Sequence, residues 1–283
     1  MAAPKEPVIP AKSDVGALAN RINSETRAAH DKIDKLVTVK FALALRDYKI
    51  YRQGLQAFYH VFQAIELALD RQLAKEDDPW TALIAEVWRP EVARTAKAEQ
   101  DLMFYYDGRR DKFESAIMPE QIKFAHHIAQ ACADKPYLLF AYMHVMYLAL
   151  FAGGRMMRSS FSKATGLYPQ RQGLTHADIV KRGTNFFTFD VTNENELRAE
   201  YKRDYELATR NNLTEAQKQE IIDESKYIFE QNALVVRELE AHNLARLKHK
   251  WQYQAITKGY YVVLTSVALL VMYLLRRVVV GLM

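Results

Sequence analysis

His30 is the residue around which chemistry is most readily built. Counting in helical steps, Arg27 stands at i−3 and Asp34 at i+4, so all three share one face, while Ala29 and Ile33 flank the histidine on an apolar side. A partly buried histidine hydrogen-bonded to Asp34 is one reading of this group. The other is a metal ligand: a neutral imidazole on the metal, its second nitrogen held by the carboxylate, which orients the ring and raises its basicity. No second ligand stands at the spacing zinc requires, and the lone cysteine, Cys132, reads as a small apolar filler. One axial histidine is sufficient for an iron macrocycle.

A second group lies on the stretch Tyr137–Lys163, where Gly153 and Gly154 interrupt a helical pattern. Each glycine costs about 1 kcal/mol in a helix relative to alanine, so something must offset the loss. Close helix–helix contact would do so. A flat ligand pressed against the backbone would too, in a pocket lined by Met143, Met146, Met156 and Met157 with Phe140, Tyr147 and Phe151. Arg198 and Lys202 form an i, i+4 cation pair that is either a solvated face or an anion clamp able to hold two carboxylates. Asn232, inside the apolar run Phe229–Val236, needs partners if it is buried.

The elements that must position these groups are helices. Leu18, Ile22, Ala29, Ile33 and Val37 mark the first amphipathic stretch from Asp14 onward, and Tyr48–Leu73 the second. Further helices are expected over 91–106, 120–132, 137–163, 194–210 and 214–250, the last opened by the capping box Thr214-Glu215-Ala216-Gln217. Asp77-Asp78-Pro79 and Arg89-Pro90 break the chain, and 173–193 reads as loop, with the aromatic run Phe186-Phe187-Thr188-Phe189. No strand-period segment or internal repeat is evident, so the fold class is all-α. The expected organisation is a disordered tail over 1–13, a helical domain over 14–250, a linker over 251–258, a membrane anchor over 259–275 and a short basic tail over 276–283.

Of 283 residues, 49% are hydrophobic and only 10 are glycine and 8 proline, which excludes collagen-like and wholly disordered chains. A single cysteine excludes a disulfide framework. Residues 259–275 carry no charge, sit between Lys258 and Arg276-Arg277, and have Tyr260, Tyr261 and Tyr273 near their ends, as a short membrane span does. The uncharged stretch 137–154 is better read as the central helix of a bundle, because it holds His144 and a span there would carry 155–258 across the bilayer. The net charge of +5 equals the five cations from Lys248 onward: Lys248, Lys250, Lys258, Arg276 and Arg277. Residues 1–247 therefore balance, and the surplus marks a membrane flank rather than a nucleic-acid footprint.

Taken in order, several stretches resemble the haem oxygenase family, in its membrane-anchored eukaryotic and specifically fungal form. They are Thr26-Arg27-Ala28-Ala29-His30, Tyr59-His60-Val61-Phe62, Ala98-Glu99-Gln100-Asp101-Leu102, Gly153-Gly154, Phe186–Phe189, and Glu224-Ser225-Lys226 through Asn232. The resemblance covers roughly residues 14–250 and the C-terminal anchor. It implies a helical fold that holds haem between a proximal and a distal helix. His30 would be the axial iron ligand with Asp34 beside it, Arg27, Arg198 and Lys202 the propionate-binding cations, and Tyr59 and Asn232 members of a distal polar network. Asn23 stands where the family usually has a basic residue. The distal motif departs further: Ala149-Leu150-Phe151-Ala152-Gly153-Gly154 places Leu150 where the family usually has an aspartate that orders water.

The resemblance further implies haem as both cofactor and substrate, consumed with O2 to give biliverdin, CO and ferrous iron. Electrons would come from NADPH through a membrane-bound flavoprotein of the NADPH–cytochrome P450 reductase type. The chain has no glycine-rich dinucleotide fingerprint of its own. A tail-anchored protein of the endoplasmic reticulum, its helical domain in the cytosol, is the expected setting. Two rivals stand beside this reading: a haem-binding protein without catalysis, which Leu150 favours, and a tail-anchored helical protein without a cofactor.

Overall fold

The computed structural model describes residues 10–44, 47–248, 258–259, 265–267 and 269. The described residues are helical, with no strand among them. In chain order the helices are α1 (Leu18–Glu25), α2 (Arg27–Ala44), α3 (Tyr48–Leu73), α4 (Pro79–Val87), α5 (Thr95–Tyr105), α6 (Asp111–Glu114), α7 (Pro119–Asp134), α8 (Leu139–Tyr142), α9 (Leu148–Lys163), α10 (His176–Arg182), α11 (Glu194–Arg210) and α12 (Glu215–Lys248). The chain divides into two compact units, Met1–Leu239 and Glu240–Met283, so the division falls within the length of α12.

Local chemistry sets most boundaries. Asp47 caps α3 by accepting from Lys49 N at 3.0 Å, and Asp78 caps α4 from Trp80 N at 2.8 Å with Pro79 at its first turn. Asn193 caps α11, and Thr214 with Gln217 forms the expected box before α12. The first expected helix is two, because Thr26 turns its hydroxyl back onto Ile22 O at 2.8 Å and breaks the run. His30 therefore begins the second turn of a new helix, its own N–H donating to Thr26 O at 2.8 Å.

Three other expectations are revised. The segment between the Asp77–Pro79 and Arg89-Pro90 breaks is helical, because Asp78 and Pro79 start α4 as well as ending what precedes it. The stretch 173–193 holds α10, opened by a reciprocal Thr175–Asp178 cap, and a 3-10 turn over Asn185–Phe187. The stretch 137–163 is not one helix. It opens with a 3-10 turn, continues as α8, widens into a π-helical turn over Met143–Tyr147, and resumes as α9. Two tyrosines of α11 account for the widening: Tyr205 donates to Phe140 O at 3.1 Å and Tyr201 to Met143 O at 3.0 Å, drawing carbonyls out of the helical ladder.

Leu138–Tyr147 is buried, within a core that includes Phe62, Phe113, Phe124 and Phe161. It is the central element of the first unit. Among the described residues no helix is long and apolar enough to cross a membrane. The proposed span 259–275 lies, apart from Gly259, Thr265–Val267 and Leu269, outside the described residues, as do the tail 1–9, most of the linker 251–258 and the basic tail 276–283.

Candidate functional site

His30 projects from α2 with 62% of its side chain exposed and neither ring nitrogen in a hydrogen bond with a described residue. Its ring meets Phe229 of α12 edge-on, centroids 6.0 Å apart. Asn232 lies three residues further along α12. Its amide donates to Ile228 O at 2.8 Å and lies 3.5 Å from the Met146 sulfur in the π-turn. One turn of α12 thus reaches the histidine on one side and the buried helix on the other. That arrangement gives a site two opposing walls: α2 and the element 143–163.

Among the described residues the carboxylate in ion-pair range of His30 is that of Asp31, 3.7 Å from Nδ1, and no ion pair joins His30 to Asp34. Both groups are exposed, so the i+4 spacing alone does not close a hydrogen bond across solvent. Arg27 lies on the exposed face of α2.

Arg198 and Lys202 are half-buried on α11. Other cations of the same helix are neutralised: Arg203 by Asp204, and Arg210 by Glu206 and Asp14. Neither Arg198 nor Lys202 has an ion pair with any described residue. Burial lowers the Lys202 pKa, and the charges of Arg198 and Lys12 lower it further. A cluster that burial and mutual repulsion both disfavour gains most from an anion.

Sequence reasoning missed the residue beside this cluster. His144, in the π-turn, is buried, and its Nε2 lies 3.0 Å from Asn23 Oδ1. Its Nδ1 is buried without a partner. An unmet buried acceptor costs about 1–3 kcal/mol. Burial pulls the His144 pKa down to about 4, and Lys202 adds to the effect. Asn23, set aside in the sequence because a basic residue was expected there, is what holds this ring.

The distal wall is apolar. Met143, Met146, Leu150 and Phe151 are buried, Leu150 with 8% of its surface exposed, while Ala149 is exposed. The hydroxyls nearby are committed elsewhere: Tyr142 to Glu224 at 2.5 Å and Tyr147 to Glu66 at 3.2 Å. Tyr59 does not join Asn232. It packs edge-on to Phe113, and its hydroxyl accepts from Gln63 at 3.1 Å. The neighbour of Gly154 is the backbone of another element: a Cβ there would lie 3.4 Å from Phe187 O, an ordinary contact distance that does not itself demand glycine. The contact is thus helix against turn. The surroundings of Gly153 and Met156 are outside the described residues.

A family model for heme oxygenase matches residues 16–238, which include every residue of this site apart from Lys12. The chain belongs to the haem oxygenase family. Among its relatives is the heme-binding protein HMX1 of Saccharomyces cerevisiae, 40% identical over 268 residues, covering 89% of this chain and 84% of that one. Heme oxygenase 1 of the cyanobacterium Synechocystis is 26% identical over 230 residues, 80% of this chain and 85% of that one. The crystal structure of heme oxygenase-2 from Synechocystis, in complex with heme and NO, superposes with a TM-score of 0.69 at 24% identity, covering 86% of this chain and 92% of that one. This likeness extends the family assignment to the fold.

The haem oxygenase fold accounts for two of the sequence stretches that carried the resemblance. The Asp101 carboxylate accepts from Asn185 N and Nδ2, each at 2.8 Å, and from Phe186 N at 2.9 Å. Burial pushes its carboxyl up to about 7 despite these donors. Arg94, fully buried, donates to Glu91, Val92, Phe186 and Thr188 carbonyls. The two residues pin the 185–188 turn against α5, and that turn is what meets Gly154.

Proposed function

We propose that this chain binds haem between α2 and the element 143–163 and cleaves it oxidatively to biliverdin, CO and ferrous iron. One observation carries the reading: a single turn of α12 links an unencumbered histidine to the buried helix opposite. The residues fit the group. His30 offers a free imidazole lone pair at an exposed edge. Arg198 and Lys202 offer two unneutralised cations for two carboxylates. The apolar wall of Met143, Met146 and Leu150 suits a macrocycle face.

Haem, as cofactor and substrate together, supplies the iron that activates O2 and the ring that is opened. The chain's own part is to bind, orient and exclude water. His30 fixes one face, the cation pair sets the direction of the acidic edge, and Leu150 keeps bulk water from the other face. The described hydroxyls near Leu150, those of Tyr142 and Tyr147, are already held by Glu224 and Glu66. Electrons come from NADPH by way of a separate flavoprotein reductase, and residues 259–275 anchor the chain beside it in the endoplasmic reticulum membrane, the helical domain in the cytosol.

A second reading is favoured by a specific observation: Leu150 and its committed neighbours leave the distal side without a proton donor, as suits a haem-binding protein that does not turn over. One assay separates the two. Haem is added to the chain, the Soret band is followed, and then NADPH and a P450-type reductase are supplied. Loss of the Soret band with rise of biliverdin and CO supports cleavage. A stable Soret complex without product supports binding alone, and no Soret shift rejects both.

A further inference from the structure

A cavity of about 210 Å3 lies between α3 and α7, and its lining includes none of the residues assigned to haem. His60, Gln63, Leu67 and Arg71 line it from α3 at helical steps, so one stripe of that helix runs its length. Ala125 and Ala129 line it from α7, one turn apart, with Ile117 from the segment before. That segment is fixed, since Gln56 donates to Phe113 O at 3.1 Å and to Ala116 O at 2.5 Å. His60 is 6% exposed, and its Nε2 lies 3.0 Å from Phe113 O. A carbonyl only accepts, so Nε2 carries the ring hydrogen and Nδ1 the lone pair. No described residue donates to Nδ1, and packing does not seal it off, so it opens on the cavity. Burial lowers the pKa of the ring, which stays neutral at pH 7. Gln63 gives an amide hydrogen to the Tyr59 hydroxyl at 3.1 Å, leaving its oxygen as a second acceptor one turn away. Arg71, two turns further on, is exposed and in no ion pair among the described residues. Its side chain leans back along the helix towards them.

We propose that this cavity binds a small, elongated organic acid of the aminophenyl-alkanoate class, its carboxylate on Arg71, its apolar body between Leu67 and the two alanines, and its amine on His60 Nδ1 and Gln63 Oε1. Each part follows from the lining. Two neighbouring acceptors without a donor reject a carboxylate or carbonyl at the His60 end, and the two hydrogens of a primary amine match them. An aryl amine is neutral at pH 7, so it brings no charge in among Ala64, Leu67 and Ile117, as an alkyl ammonium would. At the other end the guanidinium takes a carboxylate by paired hydrogen bonds. From Gln63 to Arg71 the helix rises about 12 Å, which the backward lean of the arginine shortens to the span of one ring and a short chain. Alanine at 125 and 129 leaves width for that ring, where leucine would fill it. The binding is non-covalent and independent of the haem reading.

The test is calorimetry with saturation-transfer NMR on the full-length chain in lipid nanodiscs at pH 7, with empty nanodiscs as the blank and 4-(4-aminophenyl)butyrate as the probe. Expected is one site per chain with a dissociation constant of about 0.1–1 mM, as suits a ligand of this size. Two comparisons need no variant: 4-phenylbutyrate, which lacks the donors, and the methyl ester of the probe, which lacks the charge, should each bind roughly tenfold more weakly. Arg71→Gln, on the exposed rim, should cost the acid a similar factor and leave the ester unchanged. Gln63→Leu should narrow the gap between the amine and 4-phenylbutyrate. Ala129→Leu should abolish binding with helical circular dichroism retained. Equal binding of the probe and both analogues overturns the proposal, as does undiminished binding to Ala129→Leu or no binding to the unsubstituted chain. Displacement of the probe by haem, one for one, overturns it too, because the acid would then occupy the haem site. None of these failures touches the haem reading, which the Soret band tests separately.

Discussion

At the scale of single residues, the site depends on which polar atoms remain uncommitted. His30 is uncommitted at both nitrogens, so His30→Ala should abolish the axial bond and nearly all turnover. An unchanged ferric haem spectrum in that variant would show that another residue holds the iron. Leu150→Asp should raise or redirect turnover if a missing carboxylate limits proton delivery, measured as biliverdin formed per reductase equivalent; an unchanged rate and product would exclude that limit. His144 gives a pH dependence in the haem-free chain. Its folded pKa, about 4, lies below the ordinary 6.5, so protonation favours the unfolded chain. The stabilising contribution is full above pH 6.5 and is lost as the pH falls through 4, a change of up to about 3 kcal/mol. Asp101, its carboxyl held up to about 7, titrates in the opposite sense over the same range, so the loss should appear as the difference between the unsubstituted chain and His144→Phe in urea unfolding between pH 7 and 4.

At the scale of elements, the described helices follow capping and periodicity closely where the signals are local. The bounds expected for α11, 194–210, are those observed, because Asn193 and the break after Arg210 are visible in the chain itself. The π-turn was not legible, since its cause lies in Tyr201 and Tyr205, some sixty residues away. His144 was missed for the same reason: its orphaned nitrogen exists only once Asn23 and α11 are in place. The stretches around Asp101 and Phe186 were recognisable separately, but not as two sides of one contact, because 84 residues separate them. Tyr59 and Asn232 were grouped by resemblance, yet packing turns Tyr59 toward Phe113. Arg94 is the test of that long-range packing. Truncation takes the donor from four carbonyls, two of them buried, and removes the cation facing Glu66, so Arg94→Met should cost roughly 3–5 kcal/mol in urea unfolding. Amide exchange should rise first at residues 185–189, and a loss spread evenly over the chain would argue against a local role.

At the scale of the whole molecule, charge and hydropathy separate two tasks along the chain. Residues 1–247 carry no net charge, and the five cations beyond them flank the uncharged stretch 259–275. Seventeen residues as a helix extend about 26 Å, near the roughly 27 Å hydrocarbon thickness of the endoplasmic reticulum bilayer and short of the plasma membrane's roughly 32 Å. Lys258 on one side and Arg276-Arg277 on the other can extend their stems to the headgroups and make up the small shortfall. A thin membrane is therefore the setting in which this stretch costs least. If it anchors the chain, the full-length protein should sediment with microsomes, resist alkaline carbonate, and lose its helical domain to protease added from the cytosolic side. A chain ending at residue 257 should stay in the supernatant while shifting the Soret band of added haem as the full-length chain does, because every residue assigned to the site precedes α12's end at Lys248. Sedimentation of the shortened chain would place the membrane contact within the helical domain instead. Loss of haem binding on shortening, with the helical content retained, would mean that the second unit contributes to the site.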